Sequence, residues 1–158
     1  MNPNPETFMR EAIQLAEEGM RGNRGGPFGC VVVREGRVIA RGSNQVTSTN
    51  DPTAHAEVTA IRTACRELGT FQLADCELYT SCEPCPMCLA AIYWARIPTV
   101  YYGNTRGDAA AIGFDDDFIY GQMPLTPEKR SIRMDPLLRD EAQKAFKAWA
   151  NKPDKVRY

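Results

Sequence analysis

Apolar residues recur at Phe8, Ala12, Leu15, Ala16 and Met20, the three-and-four spacing of a helix with one buried stripe. Asn4, Pro5 and Glu6 supply an N-cap, a first-turn proline and a first-turn acid, and Gly19 and Gly22 stop the helix. The following stretch, Arg21 to Gly29, is rich in glycine. It lacks the closing Gly-Lys-Ser/Thr of a phosphate loop, so it reads as turn chemistry. Cys30-Val-Val-Val-Arg34 and Arg37-Val-Ile-Ala-Arg41 are β-branched runs joined by Glu35-Gly36, which predicts a hairpin.

Asp51-Pro52 is expected to cap a second helix running through Ala60, Ile61, Ala64 and Cys65 to a stop at Gly69. Glu77 to Thr80 reads as a strand, Pro84 opens a third helix through Leu89, Ile92 and Tyr93, and Thr99 to Tyr102 reads as another strand. The order β-β-α-β-α-β predicts an α/β fold with a helix-covered sheet and parallel pairing after the hairpin. Beyond it, Ile112 to Tyr120 mixes aromatics with three consecutive acids, and a connector from Pro124 to Pro127 follows. Asp135-Pro136 then caps a last helix with Leu138, Ala142, Ala145, Phe146 and Trp149 on one face.

At 158 residues the chain is expected to form one domain, residues 1–158. Its 43% hydrophobic and 25% charged residues place it among globular rather than disordered chains. A net charge of -1 argues against a nucleic-acid partner, although the part from Met123 onward holds nine basic against five acidic residues. No apolar run is long enough to span a membrane, and the opening Met-Asn-Pro-Asn-Pro-Glu lacks the charged and apolar regions of an export signal. A cytoplasmic protein is expected.

Six cysteines and a single histidine change this picture. His55 begins His55-Ala56-Glu57 in the opening turn of the second predicted helix, and thirty residues on stands Pro84-Cys85-Pro86-Met87-Cys88. A Cys-x-x-Cys on a first helical turn places both sulfurs on one face near the positive end of the helix dipole, which favours thiolates. That spacing alone also suits a redox dithiol or a closed four-ligand zinc site. A redox pair has no need of His55 and Glu57, and no fourth ligand is evident, since Cys30, Cys65 and Cys76 read as small core residues. His55, Cys85 and Cys88 together make a three-ligand zinc set with an open position, and Glu57 is the candidate proton carrier beside it. The order H-x-E then P-C-x-x-C is the signature of zinc nucleobase deaminases.

On these motifs the chain resembles the cytidine deaminase superfamily, and within it most closely the bacterial guanine deaminases. The resemblance covers nearly the whole length. It includes Gly25-Gly-Pro-Phe-Gly29, the segments Asn50 to Arg62, Tyr79 to Cys88 and Ile92 to Arg96, and Gly113-Phe-Asp-Asp116 and Tyr158. It implies a three-layer α/β/α sandwich with a mixed, mostly parallel sheet. It also implies one zinc ion on His55, Cys85 and Cys88, with Glu57 moving protons as water attacks C2 of guanine to give xanthine and ammonia. The Asn44 side chain and the Ala56 N–H would hold the purine edge, Phe28 would stack on the ring, and Asp116 would accept from the ring N–H and the exocyclic amine. Finally, it implies a homodimer in which residues 123–158 are exchanged between chains, so that Tyr158 closes the partner's site. The rivals are a tRNA adenosine deaminase, a deaminase of another aminated heterocycle, and a zinc-stabilised binding domain without catalysis.

Overall fold

The computed structural model describes residues 4–158. The export-signal reading of the opening residues lies outside the described part for Met1 to Pro3. The elements are α1 (Pro5–Arg21), β1 (Gly29–Arg34), β2 (Arg37–Ser43), α2 (Val46–Thr49), α3 (Ala56–Leu68), β3 (Cys76–Cys82), α4 (Pro86–Trp94), β4 (Thr99–Asn104), α5 (Arg106–Ala111), α6 (Asp117–Gln122), a 3₁₀ turn (Pro127–Lys129) and α7 (Arg139–Asn151). The chain divides into two compact units between Asp117 and Phe118. Among the described residues no helix is long and apolar enough to cross a membrane.

Asn4 caps α1 as its sequence predicts, its Oδ1 accepting from the Glu6 N–H at 3.1 Å. The hairpin turn also forms where expected. Glu35 (φ 51°) and Gly36 (φ 71°) are both left-handed, the geometry that matches the twist of the strands they join.

The sheet order is β2-β1-β3-β4. β1 pairs antiparallel with both β2 and β3, and only β3 and β4 are parallel. The sheet is therefore mixed but mostly antiparallel, which corrects the expected parallel majority. The chain does cross from β2 through α3 into a strand of the same direction, but β3 takes its hydrogen bonds from β1, the strand that the hairpin had reversed. Direction and pairing part company because β1 lies between them.

β1 is buried on both faces, and its alternation sorts the core. Val31 and Val33 point with Tyr79 toward Phe8, while Cys30 and Val32 point with Leu78 toward Ala56, Ala60, Ala64 and Ile92. α1 thus forms one outer layer, and α3 with α4 forms the other.

Three helix starts lie later than the prolines suggested. Asp51 makes a local turn with Thr53 instead of a cap, and α3 begins at Ala56. α4 begins at Pro86 rather than Pro84, with Cys85 as N-cap. α7 begins at Arg139 after a left-handed Leu138, well beyond Asp135-Pro136. The short helices α2, α5 and α6 lack enough residues to show a period and were not expected. The predicted stripe on α7 is present but uncovered: no α7 residue is buried, and Phe146 is 72% exposed.

Candidate active site

The N-terminal end of β1 and the C-terminal ends of β2, β3 and β4 lie at the same end of the sheet, where α3 and α4 start. His55 is the N-cap of α3 and Cys85 the N-cap of α4, so two positive helix ends converge there. The Gln45 N–H donates to the Ala54 carbonyl at 2.9 Å, tying the exit of β2 to the residue before His55.

His55 Nδ1 lies 3.5 Å from Cys85 Sγ and 3.4 Å from Cys88 Sγ. All three ligand atoms fall within 4.8 Å of one another. A tetrahedral ion with nitrogen at about 2.0–2.1 Å and sulfur at about 2.3 Å spaces them about 3.6 Å apart, so the donors sit where such an ion needs them. Their electrostatics agree. Cys85 is held as a thiolate, pushed down to about 4 chiefly by the hydrogen bond from Cys88 and then by one from His55. Cys88 is pushed up by that same bond. His55 is raised, first by its hydrogen bond with Cys85. The three donor atoms thus converge closely enough to perturb one another, which is where a cation fits.

Glu57 is buried at the second position of α3, and burial raises its carboxyl above the ordinary range. Its Oε1 accepts from Thr80 Oγ1 at 2.9 Å, and its carboxylate also touches Cys88. The expected proton carrier therefore lies against the candidate ligands.

Asn44 is buried, and its Oδ1 accepts from the Gly26 and Val46 N–H groups, each at 3.2 Å. Only its amide donors remain. Ala56 opens α3, so its N–H has no carbonyl of its own helix to bond. Phe28 meets Phe114 edge to face, 4.9 Å between centroids at 90°.

The three consecutive acids behave differently from one another. Asp115 Oδ1 accepts from the Asp117 N–H at 3.0 Å, and Asp117 pairs with Arg106 at 3.7 Å. Asp116 Oδ1 is buried with no hydrogen-bond partner among the described residues. Burial raises this carboxyl, and the Cys85 thiolate is close enough to raise it further. Tyr158 belongs to the C-terminal unit and is 71% exposed.

Sequence reasoning did not single out Thr80 or Phe114. Thr80 reads as an ordinary strand threonine, and only its alternation with Tyr79 hints at a face shared with α3. Phe114 was visible only as a neighbour of the acidic run.

Residues 3–104 match the sequence model of the cytidine and deoxycytidylate deaminase zinc-binding region, and the chain belongs to this family. The family's cofactor is zinc, and His55, Cys85 and Cys88 are this chain's candidate ligand cluster for it. A guanine deaminase of Bacillus subtilis (strain 168) is 54% identical over 155 residues, covering 98% of this chain and 99% of the relative. The X-ray structure of guanine deaminase from that species matches with a TM-score of 0.96 over 99% of each chain. A structure of guanine deaminase from Nitrosomonas europaea matches with a TM-score of 0.69 at 34% identity, covering 72% of this chain and 65% of the other. A tRNA-specific adenosine deaminase of Agrobacterium fabrum (strain C58) is 49% identical over 89 residues, covering 55% of this chain and 59% of the relative.

Proposed function

We propose that the chain hydrolyses guanine to xanthine and ammonia, with one zinc ion held by His55, Cys85 and Cys88. Zinc bound there supplies the Lewis acidity that makes water nucleophilic near neutral pH. Glu57 takes one proton from the attacking water and gives it to the ring nitrogen, then takes the second from the hydroxyl newly bonded to C2 and gives it to the amine as the C–N bond breaks. Its burial suits the first transfer, because a raised carboxyl is a stronger base toward water than an exposed one.

The observation that carries guanine over other aminated rings is the buried, unpartnered Asp116 Oδ1. A carboxylate offers two acceptors, and guanine presents two adjacent donors, N1–H and the 2-amino group. Asn44 and Ala56 have donors to offer, so they meet acceptors on the other purine edge. Phe28, with Phe114 at its edge, covers a ring face. The similarity to a guanine deaminase over nearly the whole chain supports the same reading, whereas the likeness to the tRNA adenosine deaminase covers 55% of this chain.

The working form is a homodimer with the segment from residue 123 onward exchanged about the Pro124–Pro127 connector, so that Tyr158 of one chain closes the site of the other. The uncovered apolar residues Leu138, Phe146, Trp149 and Val156 support it, because an exposed stripe of this kind marks an interface. A cytoplasmic setting is supported by six free cysteines.

The test is ammonia release by the zinc-loaded protein from guanine, adenine, cytosine and a tRNA anticodon hairpin. Turnover of guanine alone is expected; turnover of the hairpin in preference to guanine overturns the assignment. For the exchange, mixed dimers of a chain cut before Asn151 and a Glu57→Gln chain should regain activity that neither parent has.

A further inference from the structure

Thr80 lies on β3, between its partners Cys30 on β1 and Tyr102 on β4, and is fully buried. Strand alternation places it with Leu78 on the side facing α3, within an apolar core. Valine would fill the same space without a hydroxyl to satisfy, and a buried hydroxyl is costly unless it is bonded. The bond this hydroxyl makes is to Glu57 Oε1.

We propose that Thr80 is a positioning residue for the reaction: it fixes the angle at which the Glu57 carboxylate faces the site. This rests on the reading of Glu57 as the proton carrier. A glutamate side chain turns about three bonds, and α3 fixes only its base. Thr80 fixes the far end from a strand hydrogen-bonded on both sides, a stiffer support than a loop. The hydroxyl has one proton, and it is given to Oε1. A carboxylate held at Oε1 presents itself to both proton transfers in one orientation. A threonine with no contact to substrate thus governs a step that depends on the direction of a proton.

The test compares Thr80→Val, matched in shape without the hydroxyl, with Thr80→Ser, which keeps it. Both are loaded with zinc and assayed on guanine beside the wild type. Thr80→Val should lose about ten- to hundredfold in kcat, the range that a hydrogen bond to a charged group spans when it is expressed wholly in the transition state. Its KM should stay within about twofold and its zinc at one per chain, because the lost group touches neither substrate nor metal. Thr80→Ser should stay within about threefold of wild type. A crystal structure of Thr80→Val should show the Glu57 carboxylate turned or split between conformers. Full activity in Thr80→Val, a Thr80→Ser as impaired as Thr80→Val, or a Glu57 unmoved in the Thr80→Val crystal overturns the proposal. If the wild type itself releases no ammonia from guanine, the functional reading fails instead, and the carboxylate position in the two crystals still decides what Thr80 does.

Discussion

Gly42 is the point where α3, and with it His55, Ala56 and Glu57, comes down onto the sheet. A Cβ added there would lie 2.2 Å from the Ala56 carbonyl oxygen and 2.8 Å from the Ala60 nitrogen. These are backbone atoms of the first turns of α3, so no side chain can swing aside. Restoring ordinary contact requires the helix start to lift by about 1 Å, and overpacking of this kind costs about 1–3 kcal/mol. For a chain of this size that lowers the melting temperature by about 2–12 °C. Activity should suffer more than stability, because a shift of about 1 Å in a reacting group can cost about a hundredfold. Gly107→Ala is the control: its Cβ would meet only Thr105 Oγ1 at 3.6 Å, and in α5 an alanine is neutral or favourable by up to about 1 kcal/mol. Calorimetry and guanine turnover on zinc-loaded proteins measure both effects. A Gly42→Ala variant with wild-type melting and wild-type kcat/KM, or a Gly107→Ala variant as damaged as Gly42→Ala, would refute the reasoning.

The acids of the 115–117 run should separate in a single series: Asp116→Asn keeps its zinc and loses guanine turnover by about a hundredfold or more, while Asp115→Asn and Asp117→Asn stay within a few fold. Asp116→Asn should also melt no lower than wild type, because it replaces a carboxylate bearing an unpartnered buried oxygen by a neutral amide; a clear fall in melting temperature would mean that the carboxylate has a structural partner. Zinc content by atomic absorption should drop to nothing in a Cys85→Ser/Cys88→Ser double variant, with a lower melting point, whereas metal retained there would rule out the cluster. Asp108, held below the ordinary carboxylate value of 3.8 by the Thr105 N–H and hydroxyl, contributes stability that is present above that value and lost as pH falls through the lower folded one. The melting-temperature gap between wild type and Asp108→Asn should therefore be widest near neutral pH and close in strong acid.

The elements with a clear period or a specific turn signal were legible in the sequence, and so was the chemistry of the metal cluster. Glu35-Gly36 shows its turn because few dipeptides tolerate two left-handed residues, and the metal motif shows because His, Glu and two Cys at these spacings have few other uses. The pairing of β3 was not legible, because helix crossovers fix a strand's direction but not its neighbour. Helix starts slipped at Asp51, Pro84 and Asp135 for a common reason: Asp-Pro and Pro-Cys-Pro also form turns, and which pattern wins depends on packing. Asp116 was placed in its run only by resemblance. The physical distinction among the three acids, a local turn, an ion pair and an orphan, exists only after folding.

The site also reveals why its parts arrive from so many elements. Glu57, Asp116, Cys85 and Cys88 are four acidic groups close enough to raise or lower one another, and burial opposes the charge on each. One helix could not carry four such groups on one turn without losing the apolar face that holds it to the sheet. Dividing them among α3, α4 and the approach to α6 lets Ala60, Ala64 and Ile92 pack normally while two helix N-termini point their positive ends inward. The two helix N-termini face the cysteine sulfurs, and a divalent cation held by His55, Cys85 and Cys88 would balance their charge once both are thiolates. Under the proposed function, the acceptor left on Asp116 is the one that a neutral ring bearing paired donors would satisfy, so selection of the ring and charge balance at the site would be met by different groups.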